Sequence, residues 1–213
     1  MATPGLRAPA DGQLNYTQSM GGQLIAIVGT SSVGKTSAAR QLQALLTDPY
    51  LVVGIDHFLN MFPQHWAGHP RGPGPGMWYE ETVDPDGSAR TRIRYGAAGE
   101  TMLAGMRAAV TAMLECGNNI ILDEMPLDES IIPMWKQALS AQATYWVHLS
   151  ADQMVVEARE SQRRTGKQLG NARGHLGISD GEEFDLAIDT TSLSAREVAF
   201  EIRDGFEGRC SVM

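Results

Sequence analysis

The sequence predicts an α/β protein built on a parallel sheet of five short strands, with helices on both faces. Short, mostly apolar runs alternate with segments of helical period, strand then helix, five times over. The strand runs read as buried on both sides, as in sheets with helices above and below. The chain has 213 residues, 43% of them hydrophobic and 20% charged, enough for one sizeable core.

The first strand is Gln23 to Val28. The helix after Lys35 carries Ala38, Ala39, Leu42, Leu45 and Leu46 on one face, and Asp48-Pro49 stops it. "YLVVGID" is the second strand, ending at Asp56. Residues 62–76, "FPQHWAGHPRGPGPG", are too rich in Pro and Gly for helix or regular strand. A polar segment follows to about residue 97, with a short strand at "ARTRIRY". Residues 98–116 read as helix, "NNIILDEM" as the third strand and "ATYWVHLS" as the fourth. A charged helix covers 151 to about 166, "FDLAIDT" is the fifth strand, and "SAREVAFEIRDGF" is a closing amphipathic helix. The expected layout is a disordered leader (1–22), one domain (23–207) and a short tail (208–213). Residues 62–97 form an insertion and about 159–175 a lid.

The formal net charge of −8 argues against a broad nucleic-acid-binding surface. Cys116 and Cys210 form no CxxC, which excludes a disulfide scaffold or zinc ribbon and suits a reducing, cytoplasmic setting. No apolar run approaches the roughly 18 residues of a membrane span, so no membrane partner is expected. The leader has no apolar segment of the kind that directs secretion.

The strongest motif follows the first strand. Gly29-Thr30-Ser31-Ser32-Val33-Gly34-Lys35-Thr36 fits G-x-x-x-x-G-K-[ST], and it links a buried strand to a helix, with Ser37 next in that helix. Its inward N–H groups and the helix N-terminus suit phosphate oxygens. Lys35 would reach the β- and γ-phosphates of ATP, and the Thr36 hydroxyl would hold Mg²⁺. Asp123, ending the run "NIIL", fits the second metal ligand, with a turn cap as the alternative. Glu124 beside it keeps a water-activating, hydrolytic role open.

Asp56 stands at the carboxyl end of the second strand, where ligands of open parallel sheets bind. Spacing alone leaves two readings: it accepts the proton of an acceptor hydroxyl, or it caps "HFLNMF". Arg159, Arg163 and Arg164, with Lys167 and Arg173, concentrate positive charge in an acidic chain. Closing over a transferring phosphoryl group is one use for them; a solvated face paired with Glu157 and Glu160 is the other. His65 and His69 have a helical metal spacing, but Gly68 and Pro70 forbid the helix. Met61, Trp66, Met77, Trp78 and Tyr79 either wall a substrate or pack a satellite core.

These residues together resemble the chloramphenicol phosphotransferase-like family of P-loop kinases, over roughly residues 23–205. The resemblance lies in "GTSSVGKT", "VGIDHFLNMFP", "NIILDEM", "ARESQRRTGKQLGNA" and "EFDLAIDTTSLSAREVA". It implies a three-layer P-loop kinase fold with an Arg-rich lid, and transfer of the ATP γ-phosphate to a small-molecule hydroxyl. It favours Asp56 as general base, with Lys35, Arg159 and Arg163 in catalysis and Arg164 in nucleotide binding. The partner it implies is the small-molecule acceptor; self-association into a homo-oligomer is left open. Two features depart from the family pattern: the long Pro/Gly-rich insertion where the acceptor should bind, and Asp-Glu in place of Asp-Asp at 123 and 124.

Overall fold

A computed structural model describes residues 21–68, 72–164 and 168–210. The expected leader up to residue 20, His69, Lys167 and the last three residues of the tail lie outside the described residues. The strands are β1 (Gln23–Val28), β2 (Tyr50–Gly54), β3 (Met77–Val83), β4 (Ala89–Tyr95), β5 (Asn119–Glu124), β6 (Ala143–Ser150) and β7 (Leu186–Asp189). The helices are α1 (Lys35–Leu45), α2 (Ile55–Leu59), α3 (Ala97–Glu115), α4 (Ile131–Ala138), α5 (Gln153–Ser161), α6 (Asn171–Gly174) and α7 (Ala195–Cys210).

Five strands form the expected parallel sheet in the order β2-β5-β1-β6-β7. Its central strand is apolar on both faces, and successive side chains go to opposite layers. Leu24, Ala26 and Val28 of β1 pack with Leu103, Met106 and Val110 of α3 and with Trp135 of α4. Ile25 and Ile27 pack with Ala38, Ala39 and Leu42 of α1 and with Val198 and Ile202 of α7. One strand thus anchors two helical layers, which is why a run without alternation belongs in the middle.

Register positions the site. Asp123 pairs with Ile27 of β1 on one side and with Gly54 of β2 on the other. The loop that begins at Gly29 and the helix that begins at Ile55 therefore leave the sheet on either side of Asp123.

Several boundaries differ from expectation. The second strand ends at Gly54, and Asp56 lies in the first turn of α2. The Gly54 N–H donates to His57 Nδ1 at 3.1 Å, which closes that first turn. The charged helix stops at Ser161, with the Arg163 N–H donating back to the Glu160 carbonyl at 3.1 Å. Within 62–76 there is one turn of 3₁₀ helix, Gln64–Trp66.

The short strand expected at "ARTRIRY" is β4, and it has a partner, β3, in an antiparallel hairpin. The turn Asp84–Ser88 closes through the Asp84 N–H on the Ser88 carbonyl at 2.9 Å, with Gly87 at φ +82°. β3 escapes a hydrophobic-pattern reading because only Met77, at its start, is buried.

Candidate active site

The phosphate loop has the geometry its sequence implies. Ser32 stands at φ +61° and Gly34 at φ +108°, and the second of these is a left-handed turn that a Cβ would strain. Gly34 caps α1 without any side-chain hydrogen bond, so the first N–H groups of α1 are available to an anion. The buried Ser32 Oγ has no hydrogen-bond partner among the described residues. An orphaned hydroxyl in a loop of inward N–H groups fits an oxygen-rich ligand.

Lys35 is buried, and its ammonium donates to the Thr30 carbonyl at 2.8 Å. Burial pulls its pKa below the ordinary lysine value; Asp123, Glu124 and Asp56 act the other way, and the positive charge of Arg163 adds to the lowering. The Thr36 hydroxyl donates to Asp123 Oδ2 at 2.5 Å. A cavity of about 320 Å³ opens over Ser32–Ser37 and is lined on its far side by Arg159, Arg163, Thr190, Leu193, Ala195 and Val198. Gly29, Thr30 and Ser31 lie behind this lining, with the Thr30 hydroxyl donating to the Ala172 carbonyl at 2.6 Å.

Asp56 is exposed, and its carboxylate makes no hydrogen bond among the described residues, so it does not cap α2. The Tyr79 hydroxyl titrates above its ordinary value, first through burial and then through the negative charge of Asp56, so Tyr79 of β3 lies within electrostatic reach of Asp56. Glu124 has turned the other way. It is 2% exposed, accepts from Trp135 Nε1 at 2.8 Å, and is pushed up to about 7, chiefly by burial.

The cationic segment divides. Arg159 and Arg163 both line the phosphate cavity. Arg159 donates to the Thr190 carbonyl at 2.8 Å and to the Val33 carbonyl at 3.4 Å, which ties it to the loop's outer shoulder. Arg164 is exposed and outside the cavity lining. Arg173 is held by Glu157, Asp84 and Asp86, outside the lining of the phosphate cavity. Glu160 does not pair with these arginines; its carboxylate accepts the N–H groups of Gly170 and Ala172, both at 2.8 Å. Of the aromatic and methionine cluster, Met77 is core, Met61 is 68% exposed, and Tyr79 lies within reach of the charge of Asp56.

The loop, the adjacent carboxylate and the sheet order describe a P-loop kinase fold, and comparison with known proteins agrees. The family described as chloramphenicol phosphotransferase-like protein matches residues 22–207. The chain belongs to that family. A Mycobacterium tuberculosis protein provisionally named an O-phosphotransferase is 25% identical over 197 residues, covering 87% of this chain and 83% of its own. Among solved structures, the M. tuberculosis APS kinase in complex with AMPPNP and APS superposes with a TM-score of 0.62 at 14% identity, over 89% of this chain and 99% of that one. The Deinococcus radiodurans tunicamycin resistance protein gives 0.59 at 21% identity, over 87% and 95%. The family and the fold support a phosphotransferase role, and the kinase-like enzyme it implies acts on a small molecule.

Two contributions escaped the sequence reading. Thr190 and Leu193 from the loop after β7, and Ala195 at the start of α7, line the cavity, and the charge of Asp56 reaches Tyr79. A signal for the first existed, since loops after parallel strands open on the same edge of the sheet. Tyr79 was singled out only with its aromatic and methionine neighbours, and its link to Asp56 was not legible because β3 itself was not.

Proposed function

We propose that this protein is an ATP-dependent O-phosphotransferase that moves the γ-phosphoryl group to a hydroxyl of a small molecule, an antibiotic alcohol, nucleoside or metabolite. The observation that carries the reading is the phosphate loop, where buried Lys35 stands beside the Thr36 hydroxyl bonded to Asp123 under a cavity lined by Arg163, with the charges of Asp123, Asp56 and Arg163 all reaching Lys35. Those groups are the parts an in-line transfer needs: a phosphate cation, a metal carboxylate, a proton acceptor and a closing arginine. The working domain is residues 23–207, with the hairpin-bearing insertion on the acceptor side and the arginine-bearing segment on the phosphate side.

Asp56 takes the proton of the acceptor hydroxyl. The acceptor oxygen forms a bond to the γ-phosphorus while the bond to the bridging oxygen breaks, and ADP leaves with that electron pair. Lys35 and Arg163 hold the γ-oxygens as charge spreads over them, and Arg159 steadies the shoulder of the loop that holds the nucleotide. Thr36 and Asp123 would hold Mg²⁺, which neutralises phosphate charge when bound. One hydroxyl and one carboxylate fit an ion that keeps waters and takes phosphate oxygens as its other ligands.

The test is mass spectrometry of small-molecule panels (amphenicols, nucleosides, sugars and other alcohols) after incubation with Mg²⁺ and ATP. A gain of about 80 Da, one phosphoryl group, is expected on one acceptor class. In Asp56→Asn the gain should fall by about 100-fold or more while nucleotide affinity stays near wild type. Undiminished transfer in that variant would remove Asp56 from the chemistry.

A further inference from the structure

The hairpin β3–β4 and the segment carrying α5 and α6 come from distant parts of the chain, yet they are joined at several points. The Thr91 N–H donates to the Gly170 carbonyl at 2.9 Å, and the Thr91 hydroxyl donates to the Leu169 carbonyl at 2.7 Å. The Ile93 N–H donates to His175 Nε2 at 3.3 Å, and Arg92 Nε donates to the Gly174 carbonyl at 3.1 Å. The approach is close enough that a Cβ on Gly174 would stand 1.7 Å from the Thr91 carbonyl oxygen.

Arg173 sits at the centre of this joint, with its side chain 10% exposed. Its Nε donates to Glu157 of α5 at 2.7 Å. Its Nη1 donates to Asp84 at 3.0 Å and to Asp86 at 2.9 Å, both in the hairpin turn. One guanidinium therefore ties α5, α6 and the hairpin tip together. On the other side of α6, the Ala172 carbonyl accepts the hydroxyl of Thr30 in the phosphate loop. The same body thus touches the phosphate loop, and its β3 carries Tyr79, whose hydroxyl the negative charge of Asp56 reaches.

We propose that Arg173 is a positioning residue for phosphoryl transfer: it fixes the β3–β4 hairpin to the α5–α6 segment, so the acceptor-side wall and the phosphate-side closure move as one body. This rests on the phosphotransferase reading above. A purely stabilising contact has no need of ions here, since apolar side chains of similar volume often do as well. A planar cation held by three carboxylates from two elements instead fixes their relative orientation. Whatever orders the phosphate loop then also orders the hairpin, and by reciprocity an acceptor held by the hairpin tightens nucleotide binding by the same factor.

The test is amide hydrogen exchange of the full-length chain with and without Mg²⁺ and AMPPNP. In the wild type, exchange in residues 77–95 should slow by about threefold or more on adding AMPPNP, although none of them lines the phosphate cavity. In Arg173→Gln the phosphate loop should still respond and the hairpin should not, while Arg173→Lys should restore part of the response. Thermal melting checks that the variants fold. Should Arg173→Gln fail to fold, Asp86→Asn removes only the most exposed of the three partners, 58% exposed, and should give an intermediate hairpin response. An equal hairpin response in wild type and variant, or a silent hairpin beside a responding phosphate loop in the wild type, would overturn the proposal. A phosphate loop that does not respond at all would overturn the nucleotide reading first and the positioning role with it, a distinguishable result.

Discussion

Arg159 and Arg163 are one helical turn apart in sequence and do different work. Both line the cavity, but the charge of Arg163 reaches Lys35, whereas Arg159 is tied to the Val33 carbonyl and to Thr190. Arg163→Ala should therefore lower kcat by about 10- to 100-fold with little change in nucleotide KM, the pattern for an interaction made in the transition state. Arg159→Ala should mainly raise nucleotide KM, by loosening the shoulder of the loop. Steady-state kinetics with varied nucleotide separates the two, and identical profiles would mean that the division is wrong. Glu124 carries a similar distinction from its neighbour. Asp123 meets Thr36 at the phosphate loop, while Glu124 is fixed on Trp135, and that placement does not favour activating water. The phosphate loop and Asp123 were legible in the sequence because phosphate chemistry fixes residue types at short spacing. The role of Arg173 was not, because its partners Asp84 and Asp86 lie 89 and 87 residues earlier.

The contact between α6 and β4 depends on two residues with no room for change. Gly174 brings backbone to backbone, and Gly174→Ala should lower stability by about 2 kcal/mol or more, because the obstacle is a backbone carbonyl that cannot rotate away. His175 is 2% exposed and accepts the Ile93 N–H on Nε2, so its proton is on Nδ1, where it meets the Asn171 carbonyl at 2.9 Å. Burial lowers its pKa to about 4 despite the Asn171 carbonyl, and the positive charges of Arg92, Lys35 and Arg94 add to the lowering. An unfolded chain protonates this histidine near its ordinary value of 6.5. Between those values unfolding takes up a proton, so the contribution is complete above pH 6.5 and is lost as pH falls towards 4. Its size is about 3 kcal/mol. Melting curves from pH 7 to pH 4 should show this loss, and His175→Gln should flatten it; an unchanged slope would remove His175 as the cause. Elements with their own apolar period were readable, within a residue or two for β1, β6 and α3. The hairpin was half-readable, because its stability comes from α6 and not from a buried face of its own.

At the scale of the whole molecule, the fold keeps a phosphate loop in a state that a ligand would relieve. Sheet order puts β1 at the centre with β5 and β6 on either side, so the loop leaves the sheet where the chain reverses direction across it. Around it, Lys35 is desolvated, Ser32 is held at a positive φ, and the Ser32 hydroxyl is buried without a partner among the described residues. Each of these costs folding free energy in the unliganded protein and is offset by an anion that accepts their hydrogen bonds. Binding should therefore appear as stability. AMPPNP with Mg²⁺ at about 100 times its Kd should add about 2.7 kcal/mol, which for a domain of this size raises Tm by about 5–10 °C. Lys35→Ala should abolish the shift, since the proposed mechanism uses that cation on the β- and γ-phosphates, while Asp56→Asn should retain it, because the same proposal assigns that carboxylate to the acceptor and not to the nucleotide. Differential scanning fluorimetry of the three proteins decides the matter. Equal shifts in wild type and Lys35→Ala would mean that the nucleotide binds elsewhere, and a shift lost in Asp56→Asn would move Asp56 from proton transfer to nucleotide binding.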